Sequence, residues 1–110
     1  MSWKKEVDEL SARRAMAEKM GGEEKVARQH SRGKMDARAR LAAIVDPGSF
    51  REIGKIAGRG DYGPDGELED LAASNFIFGR ANVGGRPVVA SADDFTVRGG
   101  AADAALHRKF

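Results

Sequence analysis

The chain has 110 residues, no cysteine, 41% hydrophobic and 33% charged residues, and a formal net charge of +2. This length fits one small domain at most, and the lack of cysteine excludes a disulfide framework and a thiolate metal site. The sequence has no run of roughly 20 apolar residues, which a membrane helix needs, and no apolar signal segment near its start. We therefore expect a cytoplasmic location without membrane contact.

The first twenty residues predict a helix. Trp3, Val7 and Leu10 follow the three- to four-residue spacing of one helical face, and the pattern continues to residue 20. Gly21 and Gly22 follow, and glycine readily adopts the left-handed conformation that ends helices. We expect Trp3 to pack against the rest of the chain and to anchor this helix.

Two shorter helices are predicted next. Acidic residues suit the positive N-terminus of a helix over residues 23–30, which ends before Gly33. Asp36 is a good N-cap for the following helix, because its carboxylate can accept hydrogen bonds from the free amides of the first turn. The apolar face of that helix contains Leu41, Ile44 and Val45.

The periodicity changes after residues 46–49, whose Asp-Pro-Gly-Ser composition is typical of a turn. Beyond this turn, strand-like patterns and glycine-rich segments replace the helical spacing. The predicted elements are a weak strand over residues 50–57, a glycine-rich loop over 58–69, strands over 75–80 and 86–92, and a helix over 101–110. Helices followed by strands predict an α+β fold.

Positive charge is concentrated between residues 25 and 40. This stretch has one acid, Asp36, and seven residues that are basic or can become so: Lys25, Arg28, His30, Arg32, Lys34, Arg38 and Arg40. The favoured interpretation is a solvated face that pairs with acids elsewhere in the subunit; the alternative is a surface that meets phosphates. Nucleic acid is disfavoured, because no aromatic residue interleaves this stretch and the net charge is small.

A longer pattern covers the same region. Residues 28–50, RQHSRGKMDARARLAAIVDPGSF, resemble the N-terminal signature of the carboxyltransferase β-subunit family of biotin-dependent acyl-CoA carboxylases. The β subunits of propionyl-CoA and methylcrotonyl-CoA carboxylase are typical members, and they are several times longer. A second stretch agrees with the family, in the right order: Gly85-Arg86-Pro87-Val88-Val89, Asp94-Phe95-Thr96-Val97 and Gly99-Gly100.

The resemblance implies a crotonase-like fold, a spiral of repeated ββα units. It divides the chain into an N-terminal helical arm, residues 1–48, and the truncated start of the carboxyltransferase N-domain, residues 49–110. The strands over 75–80 and 86–92 and the helix over 101–110 would form the first ββα unit of an incomplete spiral.

The resemblance also implies a reaction, in which a carboxyl group moves from carboxybiotin on a carrier protein to a short-chain acyl-CoA. Backbone N–H groups of glycine-rich turns stabilise the oxyanions. The motifs of those turns do not occur in this chain, so we expect no catalytic residue here and no activity of the segment alone. The implied partners are the rest of the subunit, further copies of it, and the biotin carboxylase and biotin carrier subunits.

Gly99 and Gly100 belong to the family pattern and, with Arg98, are the candidates for the vicinity of CoA. Glycine allows a backbone to approach a ligand closely; a plain strand-to-helix turn is the favoured interpretation. Arg98 stands where many members have an apolar residue, which leaves the acyl group open. For Arg32 and its basic neighbours, a role within the subunit is favoured over contact with the 3′-phosphate of CoA.

The two histidines, His30 and His107, give no metal-ligand spacing and have no evident nucleophile beside them. For His30 we favour a capping or backbone hydrogen bond over a catalytic role. Two other functions stay open. One is a non-catalytic assembly module that binds a partner chain completing the spiral, and the other is a small anion-binding protein.

Overall fold

The computed structural model describes residues 2–101 and has the mixed helix and sheet content that the sequence predicts. The helix predicted over 101–110 lies, beyond Ala101, outside the described residues. The helices are α1 (Lys4–Ala17), α2 (Glu23–Ser31) and α3 (Ala37–Ile44), and the strands are β1 (Arg51–Glu52), β2 (Gly58–Tyr62), β3 (Leu68–Ala73), β4 (Phe76–Val83) and β5 (Arg86–Asp93). A short 3₁₀ helix, Arg98–Gly100, follows β5.

The α1 helix contacts β3 but is largely exposed, and Ala17 is its one buried residue. Trp3, just before the helix, is 71% exposed and Val7 is 56% exposed. The prediction that Trp3 anchors the helix is therefore wrong within the described residues. Seven of the 14 residues of α1 are charged, which leaves an apolar stripe too narrow to bury the helix.

The α3 helix packs on the three-stranded sheet and forms the hydrophobic core with it. Ala37 and Leu41, one turn apart, are buried against Ile77 of β4. Phe50, in the segment between α3 and β1, packs against the same cluster. Ile44, predicted on the apolar face, is instead 63% exposed, because the buried side of this short helix is narrow.

Two side-chain contacts hold the start of α3. The carboxylate of Asp36 accepts a hydrogen bond from the Ala39 N–H at 2.8 Å, which confirms the predicted N-cap. The Arg38 guanidinium donates to Glu52 of β1 at 2.7 Å. The first contact satisfies a free amide of the helix, and the second ties the helix to the sheet.

The framework is an antiparallel sheet in which β4 lies between β1 and β5. β4 and β5 pair along their full length, with Phe76 opposite Asp93 at one end. At the other end Gly84-Gly85 forms a two-residue turn, and both φ angles are positive, at 58° and 78°, as such hairpin turns require. The hairpin therefore delivers the chain to residues 94–100 at the end opposite its turn.

The loop predicted over residues 58–69 is wrong in its main feature. β2 and β3 form a second, two-stranded antiparallel sheet, with Gly58 opposite Ala73. A Cβ atom at Gly58 would overlap the carbonyl oxygen of Ala72, so glycine here permits close strand approach. The strand expected over residues 50–57 is shorter than predicted, since only the two residues of β1 pair with β4.

Over residues 2–101, the structure contains no helix with the length and apolar character that a bilayer crossing requires.

Candidate functional site

The loop between α1 and α2 meets the segment after β5 at a buried polar corner. Asp94 is 2% exposed and Thr96 is 6% exposed. One Asp94 carboxylate oxygen accepts from the Thr96 N–H at 2.9 Å and from the Thr96 hydroxyl at 2.5 Å. The same hydroxyl accepts from the Gly21 N–H at 2.9 Å. This chain of hydrogen bonds joins the helical arm to residues 94–100.

Residues 98–100 form a tight turn beside this corner. Arg98, Gly99 and Gly100 have φ angles of 51°, 61° and 77°. Two glycines suit such a run of left-handed conformations, because they lack the Cβ that disfavours it. The buried Asn75 side chain holds the turn, since its amide donates to the carbonyls on either side, of Val97 and Ala101. The glycine pair thus lies in a tight turn, and the helix that the favoured interpretation places after it is outside the described residues.

A basic cleft separates α2 from this turn. It encloses about 260 Å³, and its cationic residues are Lys25, Arg28, Arg32, Lys34 and Arg98. Gly99 and Phe95 also line it, and the Phe95 ring is 62% exposed. Two of the three candidate site residues, Arg98 and Gly99, therefore lie in the cleft. Gly100 is not among the residues that line it, and a Cβ atom on Gly100 would contact the Phe95 ring at 3.8 Å.

The basic stretch of residues 25–40 divides into paired and unpaired cations. The ion pairs are Arg28 with Glu24 at 3.6 Å, His30 with Asp36 at 2.8 Å, and Arg38 with Glu52 at 2.7 Å. Among residues 2–101, no acid lies within 4.0 Å of the side-chain nitrogens of Lys25, Arg32, Lys34 or Arg98. Pairing with acids, as expected, thus neutralises part of the positive charge of residues 25–40. Most of the unpaired cations of this stretch line the cleft.

His30 has a structural position at the end of α2. Its Nε2 lies 2.8 Å from the carboxylate of Asp36, so of the expected capping or backbone hydrogen bonds it makes a contact with the N-cap side chain of α3. Partial burial tends to raise the pKa of Asp36, but hydrogen bonds from the Ala39 N–H and from His30 outweigh it and lower the pKa overall. The pair links α2 to α3.

A larger cavity of about 700 Å³ adjoins the basic cleft, and the two share Lys25, Thr96 and Arg98. Its other walls come from the α1–α2 loop, β2 and β3, with Met20 and Leu71 among the apolar residues and Lys19, Arg59 and Asp70 among the charged ones. A ligand with an anionic end and a longer body of mixed polarity would match this combination.

Within the part of the chain that the structure describes, no three His, Asp or Glu side chains are close enough to hold a metal ion. His107 lies outside that part. The site therefore offers cations and backbone amides as its ligand-binding groups.

Sequence reasoning gave no role in the site to Lys25, Phe95 or Thr96. The signals were present, because Lys25 belongs to the basic stretch and the other two belong to the Asp94-Phe95-Thr96 part of the family pattern. The missing information was spatial, since about sixty residues of chain separate the two walls of the cleft. No periodicity in the sequence shows that these walls meet.

Comparison with known proteins agrees with the resemblance. Residues 28–110 match the carboxyl transferase domain family. The methylmalonyl-CoA carboxyltransferase 12S subunit of Propionibacterium freudenreichii subsp. shermanii is 41% identical over 98 residues, which are 87% of this chain and 18% of the relative. The carboxyltransferase subunit of propionyl-CoA carboxylase from Haloferax mediterranei is 39% identical over 100 residues, or 91% of this chain and 19% of the relative.

Solved structures give the same answer for the fold. A transcarboxylase 12S structure, described as a hexamer with methylmalonyl-CoA and methylmalonic acid bound, superposes with a TM-score of 0.81 and 36% identity. The match covers 99% of this chain and 21% of that one. A single-chain, multi-domain long-chain acyl-CoA carboxylase matches with a TM-score of 0.72 and 28% identity, over 94% of this chain and 11% of that one.

The chain thus spans about a fifth of the length of the curated relatives and of the 12S structure. The expected fold, a helical arm and the start of a crotonase-like unit, is confirmed by these neighbours. This chain belongs to the carboxyl transferase domain family and corresponds to the N-terminal part of its acyl-CoA carboxyltransferase subunits.

Proposed function

We propose that this chain contributes to a biotin-dependent acyl-CoA carboxyltransferase, and that its basic cleft binds the phosphate groups of the acyl-CoA. The parent reaction would transfer carboxyl from carboxybiotin to a short-chain acyl-CoA. Both the methylmalonyl-CoA and the propionyl-CoA relatives support a substrate of this class.

One observation carries the proposal. Five cations surround a cleft of about 260 Å³, and four of them have no acidic partner among residues 2–101. Cations held close together repel one another, so such an arrangement is best explained by an anionic ligand that neutralises it. Arginine is well suited to phosphate, because its planar guanidinium donates two parallel hydrogen bonds.

The residues of this chain would bind and orient the substrate. Arg32 and Arg98 would donate to phosphate oxygens from opposite walls, and the Gly99 backbone would allow close approach. The larger cavity, with Met20 and Leu71, would receive a neutral part of the CoA. We assign no catalytic residue and no biotin contact to this chain, so its contribution is to hold the acyl-CoA in place.

The partners of the chain follow from the same proposal. The remainder of the carboxyltransferase subunit, or a partner chain, would complete the spiral, and the hexameric 12S relative supports an assembly of several copies. Biotin carboxylase and biotin carrier subunits are the expected further partners. The division into an arm over residues 1–48 and a domain start over 49–110, and the cytoplasmic location, stay predictions.

A second candidate function, a non-catalytic assembly module, is favoured by exposed apolar side chains. Trp3 is 71% exposed, Val89 on the edge strand β5 is 67% exposed, and Tyr62 is 62% exposed. Exposed apolar residues mark a surface that meets another chain where they form a contiguous patch. This candidate differs from the first in requiring no affinity for CoA.

The test is a comparison of ligands that lose phosphate stepwise. Isothermal titration calorimetry should show that CoA binds more tightly than dephospho-CoA, and dephospho-CoA more tightly than pantetheine. Affinity should fall as salt is raised, because partly exposed charges are screened. Arg32→Ala combined with Arg98→Ala should reduce the CoA affinity by about tenfold or more, at about 1–3 kcal/mol for each charged hydrogen bond.

The matched control is Arg86→Ala, which removes one exposed positive charge at the end of β5 remote from the cleft. It should leave the order and the size of the affinities nearly unchanged. Equal affinity of the wild type for CoA and pantetheine would refute the phosphate site and leave the assembly function as the better candidate.

A further inference from the structure

Thr96 stands between the two walls of the basic cleft. One wall is α2 with its C-cap, which supplies Lys25 and Arg32, and the other is the segment that supplies Arg98. Thr96 borders the cleft and also the larger cavity, yet it is 6% exposed. Its side chain is therefore directed into the protein and not toward a ligand.

The Thr96 hydroxyl has two hydrogen-bond partners within the protein. It donates its one proton to Asp94 at 2.5 Å and accepts from the Gly21 N–H at 2.9 Å. Gly21 is next to Gly22, which directly precedes α2. One hydroxyl thus links the wall that contains Arg98 to the start of α2, the helix that Arg32 directly follows.

The backbones at this link are in close contact. A Cβ atom on Gly21 would overlap the carbonyl oxygen of Thr96, so the loop before α2 lies directly on residue 96. The other side of the segment is held by the sheet, because the Asp94 N–H donates to the Asn75 carbonyl at 2.6 Å and the Asn75 amide donates to Val97 at 3.3 Å. Residues 94–97 are thus held to Asn75, which directly precedes β4, and Thr96 connects them to the loop before α2.

We propose that Thr96 is a positioning residue that sets the distance between the two walls of the basic cleft, with Asp94 orienting its hydroxyl. This inference rests on the proposed function, because it concerns the fit of the cleft to phosphate. Hydrogen bonds from guanidinium groups to phosphate depend steeply on geometry, so a small displacement of α2 against Arg98 weakens them.

The test compares Thr96→Val, which keeps the shape and removes the hydroxyl, with Thr96→Ser, which keeps the hydroxyl. The ratio of CoA to pantetheine affinity is measured by calorimetry for the full chain. Thr96→Val should lower this ratio by about tenfold, because it loses one hydrogen bond that aligns charged groups. Thr96→Ser should retain the wild-type ratio within about threefold. Faster hydrogen exchange of the Gly21 amide in Thr96→Val should accompany the loss.

Ile77→Val is the control for general destabilisation, because Ile77 is buried in the core against α3 and does not line the cleft. It should lower the melting temperature and leave the affinity ratio unchanged. If circular dichroism shows that Thr96→Val does not fold, Thr96→Ala, which also lacks the hydroxyl, takes its place.

The outcomes separate this inference from the proposed function. A wild type that prefers CoA, with the preference equally large in Thr96→Val, would overturn the positioning role and leave the phosphate site standing. A loss shared by Thr96→Val and Thr96→Ser would also overturn it, because the hydroxyl would then not be the cause. A wild type with no preference for CoA over pantetheine would remove the phosphate site and the inference together.

Discussion

Asp36 shows at the scale of single residues how the basic stretch is organised. Its two carboxylate oxygens have different partners, the Ala39 N–H at 2.8 Å and the His30 ring at 2.8 Å. The first caps α3 and the second reaches the last turn of α2. The one acid among residues 25–40 is therefore the point at which two helices of the arm are joined.

Replacing Asp36 by Ala should lower the free energy of unfolding by about 1 kcal/mol, because it removes the cap of α3. Urea denaturation followed by circular dichroism measures this value. Asp93→Ala is the control, since Asp93 is an exposed acid at the end of β5, and it should change the stability by less than about 0.5 kcal/mol. A loss no larger in Asp36→Ala than in the control would show that the cap is unimportant.

The lowered pKa of Asp36 predicts how stability depends on pH. Because the folded-state pKa lies below the ordinary value of 3.8, the ionised carboxylate stabilises the fold at pH values above about 4. This contribution is lost as the pH falls through the folded-state pKa. The comparison is with Asp36→Asn, which keeps a capping side chain and cannot ionise.

The wild type should therefore be more stable than Asp36→Asn at about pH 5 to 6, where the carboxylate is ionised. This difference in the free energy of unfolding should shrink toward about pH 3. Denaturation curves at several pH values measure it. A difference that grows on acidification would mean that the pKa is raised in the folded chain and that the assigned hydrogen bonds do not dominate.

At the scale of elements, the backbones of β1 and β4 are in close contact. A Cβ atom on Gly79 would overlap the carbonyl oxygen of Arg51, and the Ile53 N–H donates to the Phe78 carbonyl at 2.8 Å just beyond the paired residues. With two residues in β1, this pairing depends on close approach to Gly79.

Gly79→Ala should therefore detach β1 and leave the β4–β5 hairpin in place. The expected result in hydrogen exchange is faster exchange of the Ile53 amide, with little change at the amides shared between β4 and β5. The free energy of unfolding should fall by about 1–3 kcal/mol, as for overpacking in a close contact. Unchanged exchange at Ile53 would show that the strands can separate to admit the methyl group.

Much of the element order was predictable from local signals. Helical spacing and the Asp36 cap predicted three helices, the strand patterns predicted strands over 75–80 and 86–92, and each is present. The sequence did not predict the β2–β3 sheet, because a glycine-rich composition is typical of a loop. These glycines form strands through contact with the facing backbone, which the sequence pattern does not show. Burial of α1 was overestimated for a similar reason, since an apolar spacing does not show whether another surface covers it.

The candidate site was predictable only in part. The resemblance directed attention to Arg98, Gly99 and Gly100, and the charge pattern pointed to residues 25–40. Neither signal showed that the two regions face each other, because that proximity depends on the buried contacts of Thr96 and Asn75. Long-range polar contacts of this kind leave no periodic trace in a sequence.

At the scale of the whole molecule, β5 is an edge strand of the sheet that the described residues form, and Val89 on it is 67% exposed. An exposed edge strand with an apolar residue invites pairing with another chain. We therefore expect concentration-dependent self-association of the purified chain. Val89→Lys should reduce it in sedimentation velocity, because a charged edge residue opposes such pairing. A wild type that sediments as a monomer at every concentration would contradict this expectation.

The central claim is that this chain binds acyl-CoA through phosphates held in the basic cleft. The most direct measurement is an amide NMR titration of the isotope-labelled chain with CoA. The account predicts saturable changes in the amide chemical shifts of Arg32, Phe95 and Gly99. It predicts no such change for Gly84-Gly85 at the far end of the hairpin. The absence of saturable shifts at the cleft, or shifts of equal size at the far turn, would contradict it.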